Sequence, residues 1–196
     1  MSRPATIQRT TAETDIELSI DLDGSGRNSI TSGIPFFDHM LTLWSRHSLI
    51  DLDVKATGDL EVDYHHTVED TGLVLGQALR QALGDKAGIH RYGSAYLPMD
   101  ETLARVALDI SGRPLLVFRA PEQVPPIRDF PFQLVEEFLR AMASTAGLTL
   151  HSQIIYGRDS HHMAEAIFKG FGHAIRQAVA IDPRIEGVLS TKGMLA

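Results

Sequence analysis

The sequence predicts an α+β fold made by internal duplication of a β-β-α-β-α unit, the two copies packed together as one domain. Three observations carry this prediction. The chain has 196 residues, 43% hydrophobic and 22% charged, a size and balance that suit one globular domain. Apolar periodicity switches between the two-residue period of strands and the helical period in the same order in each half. The halves also share residues. Residues 63–83 set against 159–179, an offset of 96, are identical at nine of 21 positions, including His65/His161, His66/His162, Glu69/Glu165 and Gly76/Gly172. Ordinary composition gives about one or two such matches by chance. A weaker match at offset 88 pairs Glu13-Thr14 with Glu101-Thr102, Asp21 with Asp109 and Gly24 with Gly112. Residues 1–196 therefore read as a single domain of two pseudo-repeats, about 1–92 and 93–196.

The elements follow in order. Residues 16–22 alternate apolar and polar, as a half-buried strand does. Asp23-Gly24-Ser25-Gly26 is a turn, with a shorter strand expected at 28–32. Residues 35–47 read as a helix whose stripe is Phe36, Met40, Leu43, Trp44 and His47. Residues 49–56 read as strand, punctuated by Gly58-Asp59, and 65–83 as helix, stopped by Gly84. The second half repeats the pattern: strands at 103–111 and 115–118, a Pro-rich loop at 121–126, a helix at 132–146, a strand at 148–156 and a helix at 163–180. Each unit has an apolar face that it cannot cover alone, and packing the two together makes one core.

Composition narrows the chemistry. Zero Cys excludes disulfides, zinc–thiolate sites, iron–sulfur clusters and cysteine nucleophiles. With 25 acidic against 18 basic residues and a net charge of −7, neither a nucleic-acid surface nor a basic membrane face is expected. The N-terminus has no apolar leader, and no run approaches a membrane span, so the chain reads as cytoplasmic. Nine His without Cys point to a metal held by nitrogen and oxygen.

The repeat keeps His-His-x-x-Glu twice, as His65-His66-Thr67-Val68-Glu69 and His161-His162-Met163-Ala164-Glu165. At a helix start the glutamate shares a face with either histidine. The adjacent imidazoles diverge by about 100°. One motif can thus serve two cations, or one cation together with a partner motif. A helix cap with exposed histidines would explain one copy, but not two copies that keep His and Glu while the residues between them change. Imidazole plus carboxylate suits Mn²⁺, Fe²⁺, Zn²⁺ or Ni²⁺ and leaves exchangeable positions. His39 lies in Phe-Phe-Asp-His-Met, either as a buried core histidine or as a ligand, and alignment of the halves places Glu137 opposite it. His151 and His173 are expected to be exposed. Arg91, Arg113 and the run Ser190-Thr191-Lys192-Gly193 have the cations, hydroxyls and open backbone that a phosphate needs, although each alone would pass for a surface group. No P-loop, Gly-x-Gly-x-x-Gly or Gly-x-Ser-x-Gly motif occurs.

The two motifs, together with Phe36-Phe37-Asp38-His39-Met40 and the terminal Ser-Thr-Lys-Gly, resemble the imidazoleglycerol-phosphate dehydratase family from about Glu13 to Lys192. That resemblance implies a ribosomal protein S5 domain 2-like fold. It also implies loss of water from imidazole glycerol phosphate to give imidazole acetol phosphate in histidine biosynthesis. Two Mn²⁺ per active site and a 24-subunit homo-oligomer with sites between subunits are implied as well. The implied ligands are His39, His65, His66, Glu69, Glu137, His161, His162 and Glu165; many family members have His at position 137, and Glu136 is its rival as donor. Arg91, Arg113, Lys169, Ser190, Thr191 and Lys192 become phosphate contacts. His47 is placed near the substrate, and Glu13 becomes a substrate-facing carboxylate.

The proton to be removed lies on a carbon with no adjacent carbonyl, so the substrate's imidazole is the only electron reservoir. Cations on its nitrogens would stabilise an imidazolate that expels hydroxide. A carboxylate, assigned to Glu13, then takes the proton, giving an enol that tautomerises to the ketone. His65, Glu69, His161 and Glu165 complete the expected catalytic set. Two other readings use the same residues: a dinuclear metal-dependent phosphate-ester hydrolase, and a non-catalytic metal-dependent assembly protein. The second leaves the Arg, Ser and Lys set unexplained.

Overall fold

A computed structural model describes residues 2–195. The first half runs β1 (Pro4–Thr10), β2 (Thr14–Asp21), β3 (Asn28–Thr31), α1 (Pro35–Ser48), β4 (Asp51–Gly58) and α2 (His65–Leu83). The second runs β5 (Tyr92–Met99), β6 (Thr102–Asp109), β7 (Leu115–Arg119), α3 (Gln133–Ala146), β8 (Thr149–Tyr156) and α4 (Ser160–Val179). The duplicated β-β-α-β-α arrangement is present, and each copy carries an additional leading strand. Neither β1 nor β5 was expected. β1 (PATIQRT) has a weak alternation with only Ala5 fully buried, and β5 carries Gly and Pro, so neither shows a clear strand period.

The two sheets have the same topology, β1-β2-β4-β3 and β5-β6-β8-β7. The leading strands pair antiparallel, and β3 and β7 lie parallel to β4 and β8. Burial alternates strictly along β2, with Thr14, Ile16, Leu18 and Ile20 inward and Asp15 and Glu17 outward. Each sheet is therefore covered on one face only.

Helices cover those inner faces, and the helices of opposite halves pack on each other, α2 on α3 and α1 on α4. Aromatic rings link the halves: Phe37 of α1 meets Phe138 of α3 edge-on at 5.4 Å, and Trp44 of α1 meets Phe171 of α4 at 6.1 Å. On α1 the buried residues are Phe37, Met40, Leu41, Trp44, Ser45 and Ser48. The expected stripe is thus rotated: Phe36, Leu43 and His47 lie at its rim, because the helix buries its face against α4 as well as toward its own sheet.

The close crossings explain two of the repeated glycines. A Cβ on Gly76 of α2 would sit 2.1 Å from Thr145 Oγ1 and 2.5 Å from the Met142 carbonyl of α3. A Cβ on Gly172 of α4 would sit 2.9 Å from the Trp44 carbonyl of α1. Backbone atoms cannot step aside as a flexible side chain can, so the repeat keeps Gly at both positions. Thr145 Oγ1 then donates to the Leu73 carbonyl at 2.8 Å, linking α3 to α2.

Gly76→Ala gains helix propensity worth about 1 kcal/mol but forces the helices apart. Overpacking of this kind costs about 1–3 kcal/mol. The variant should melt several degrees below the parent in a thermal scan, and equal or higher stability would show that the crossing is loose.

The β2–β3 turn depends on one carboxylate. Asp51 accepts the N–H groups of Ser25 and Arg27 at 2.8 and 2.9 Å and the Arg27 guanidinium at 2.7 Å. Burial would raise its pKa, but Arg27 and the two backbone donors outweigh that and hold it at about 2. A depressed folded pKa stabilises the protein above the unfolded value, about 3.9, and that contribution is lost as pH falls toward 2. The Tm gap between the parent and Asp51→Asn should therefore be present at pH 5 and shrink as pH approaches 2.

Candidate metal and anion site

The two His-His-x-x-Glu runs open α2 and α4. At α4, Asp159 caps the helix by accepting the His162 N–H at 3.0 Å, and at α2, Asp63 accepts the His65 N–H at 2.7 Å. In each pair the rings stand at 85° with centroids 6.2 and 6.3 Å apart, so the two imidazoles aim at different neighbours.

The α1–α4 crossing brings His39 to the second motif. His39 Nε2 and His161 Nε2 lie 2.9 and 3.0 Å from the same oxygen, Oε1 of Glu165. These three ligand atoms all lie within 4.8 Å of one another, and among the described residues no other such group is found. His39 is partly exposed, so it is not a buried core histidine. Glu165 is buried, and its other oxygen takes the Lys169 ammonium at 2.6 Å. Burial alone would raise the Glu165 pKa, but Lys169, His39 and His161 together hold it at about 2. Two imidazoles and an ionised carboxylate converging on one point fit a divalent cation of borderline softness, with room left for exchangeable ligands. Phe36 packs edge-on against the His161 ring at 5.3 Å and fixes its orientation.

The first motif is looser. His65 Nε2 is 3.5 Å from Glu69 Oε2. Glu137, the counterpart of His39, pairs instead with Arg140 at 3.6 Å, and neighbouring Glu136 accepts from the same guanidinium at 2.5 Å. The second histidines face carboxylates on the turns and loops at the strand ends of their own half. His66 Nδ1 meets Asp59 at 3.0 Å, and its Nε2 lies 3.8 Å from Glu13. His162 Nδ1 meets Glu101 at 2.7 Å, and its Nε2 lies 3.8 Å from Asp100. Asp59 raises the His66 pKa and Glu101 raises that of His162, while His162 and backbone donors hold Glu101 well below the usual carboxylate range. Of the eight expected ligands, three converge, His65 and Glu69 lie near each other, and His66, His162 and Glu137 point elsewhere.

The expected anion contacts divide. A surface pocket is lined by Arg91, Arg113, Ser190, Thr191 and Lys192, with Tyr92 and Arg184. Arg91 is itself buried and engaged, bidentate to Asp109 at 2.6 and 3.0 Å and donating to the Leu189 carbonyl at 2.7 Å. It thereby holds the C-terminal segment over the pocket, while Arg113 is exposed at its mouth. Lys169 does not line this pocket and stands on Glu165 instead. His47 lies next to His173, Nδ1 to Nε2 at 3.1 Å, and burial, His173 and Lys169 lower its pKa. His173 is half-buried rather than exposed, because Gly172 lets α1 approach at that point.

Sequence reasoning overlooked Asp59, Asp70 and the His47–His173 pair. By sequence Asp59 reads as turn punctuation, and nothing in its local pattern says that the turn folds back onto α2.

Comparison with known proteins identifies the family. The imidazoleglycerol-phosphate dehydratase family model matches residues 32–175. The imidazoleglycerol-phosphate dehydratase of Acetivibrio thermocellus is 58% identical over the whole of both chains, and that of Akkermansia muciniphila is 57% identical over 98% of this chain and all of its own. Among solved structures, the Staphylococcus aureus enzyme superposes with a TM-score of 0.83 at 43% identity, covering 91% of this chain and 99% of its own. The Pyrococcus furiosus enzyme, solved in complex with (S)-C348, gives 0.84 at 36% identity, covering 96% and 100%. A duplicated α+β fold, a preassembled histidine–carboxylate group and near-complete coverage by these relatives place the chain in the imidazoleglycerol-phosphate dehydratase family, hydro-lyases of histidine biosynthesis.

Proposed function

We propose that the chain dehydrates imidazole glycerol phosphate to imidazole acetol phosphate with two Mn²⁺ per active site, working in the cytoplasm as a 24-subunit homo-oligomer. The observation that carries the metal dependence is the convergence of His39, His161 and ionised Glu165 on one point. When bound there, Mn²⁺ supplies Lewis-acid stabilisation of negative charge developing on the substrate's imidazole ring. His65, His66, Glu69, Glu137 and His162 are the proposed ligands that this single chain does not bring into the same group.

The chain's own groups do the rest. Lys169 neutralises one oxygen of Glu165 and leaves the other facing the two imidazoles. Arg113, Ser190, Thr191 and Lys192 form the proposed phosphate contacts, and Arg91 shapes their pocket. The triad residues do not line that pocket, which supports a site completed between neighbouring subunits. His47 stands beside His173 and is proposed to lie near the substrate. Glu13 is the proposed base: its carboxylate is half exposed beside His66, free to take the proton from the substrate carbon.

A Mn²⁺-loaded preparation should convert imidazole glycerol phosphate to a phosphorylated ketone, and a chelated control should not. Release of inorganic phosphate would identify a hydrolase instead.

Glu13→Gln keeps the side-chain shape and removes the basic oxygen. Loss of a general base lowers turnover about 10²–10⁴-fold, and Mn²⁺ binding by equilibrium dialysis should stay near the parent value. Undiminished turnover would exclude Glu13 as the base.

A further inference from the structure

Asp70 directly follows the first His-His-x-x-Glu run, yet the proposed chemistry makes no use of it. Its carboxylate is buried on α2, and a charge taken out of water needs donors. It has two: the Thr14 hydroxyl at 2.5 Å and the Arg9 guanidinium. Both come from the β1–β2 hairpin, on either side of Glu13. Thr11 closes that hairpin turn. Its N–H donates to the Thr14 carbonyl at 2.8 Å, and its hydroxyl accepts the N–H groups of Glu13 and Thr14 at 3.1 and 3.0 Å. On the other side the Glu13 carbonyl accepts the Asp59 N–H at 3.1 Å, and the Asp59 carboxylate holds His66. The Glu13 main chain is thus tied to α2 and to the β4–α2 loop, while its carboxylate stays exposed, 3.8 Å from His66 Nε2.

The second half shows what happens without this anchor. Glu101-Thr102 repeats Glu13-Thr14, but Ala166 stands where the repeat offset places Asp70. There Glu101 itself holds the turn, accepting the N–H groups of Asp159 and Arg158 at 3.0 and 3.3 Å, the Thr102 hydroxyl at 3.0 Å and His162 at 2.7 Å. The same repeated glutamate is consumed in one half and left free in the other.

We propose that Asp70 is a positioning residue for the dehydration: through Thr14 and Arg9 it fixes the hairpin that presents Glu13, leaving the Glu13 carboxylate free to act. This rests on Glu13 being the base. A base displaced by about 1 Å can lose on the order of 10²-fold in rate, and an interaction that matters only in the transition state lowers kcat rather than raising KM.

The test is steady-state kinetics on Mn²⁺-loaded protein for Asp70→Asn, Thr14→Val, Glu13→Gln and the Glu13→Gln/Asp70→Asn double variant. The expected result is that Asp70→Asn and Thr14→Val each lower kcat by about ten-fold or more, with KM within about two-fold. Adding Asp70→Asn to Glu13→Gln should lower kcat no further, because its effect passes through a carboxylate already removed. An equal fold-loss in both backgrounds, or parental kcat in folded Asp70→Asn and Thr14→Val, overturns the positioning role. If Asp70→Asn fails to fold, Thr14→Val decides, since it keeps the buried carboxylate and its Arg9 partner. Parental turnover in Glu13→Gln is a separate result that overturns the base itself.

Discussion

The backbone-close crossing of helices from opposite halves is the constraint on which the rest of the molecule depends. Each half is a sheet with one apolar face and two helices too short of cover to stand alone. Gly76 and Gly172 allow α2 to lie on α3 and α1 on α4 with no side chain between them. That exchange across the halves is also what makes a site. His39 is 126 residues from Glu165 along the chain, yet the two meet at 2.9 Å because α1 packs along α4 from the second motif to the close approach at Gly172.

Duplication supplied two equivalent frames, and the chain uses them differently. The ring geometry at the start of α2 and α4 is nearly the same, and each second histidine has a carboxylate behind it, Asp59 from the β4–α2 loop in one half and Glu101 from the β5–β6 turn in the other. What differs is the third partner. On the α1 side it is an imidazole, and the motif glutamate is buried among donors. On the α3 side the corresponding residue is Glu137, whose like charge would repel Glu69 and which turns to Arg140 instead. One motif is therefore assembled within the chain, and the other is open.

The fold was largely legible because its signals are local and doubled. Alternation along β2 and the helical period of α2 and α4 mark their own elements, and the repeat confirms each by the other. β1 and β5 were not legible, since edge strands bury little and so carry little pattern. The residue types at the site were legible in the two motifs, but their partnerships were not. Nothing in the sequence near Asp59 or Asp70 announces a hairpin more than 40 residues away. His173 was misjudged for the same reason: helical periodicity shows which face a residue is on, but not that a glycine beside it admits a second helix.

The position of Lys169 follows from these partnerships. A chain with net charge −7 that handles an anion has few cations to spare, and Lys169 and Arg91 are both committed to carboxylates. At Glu165 that commitment divides one carboxylate into two roles. Oε2 takes the ammonium at 2.6 Å. Oε1 is left to the two imidazoles, which donate to it through Nε2. Those nitrogens are the ones that a cation would use, so a bound ion would take the place of their hydrogen bonds to Oε1. Lys169, with His39 and His161, keeps Glu165 ionised, at about 2, against the burial that would raise its pKa. Without these three donors, burial would favour the neutral acid, and the triad would lose its negative ligand.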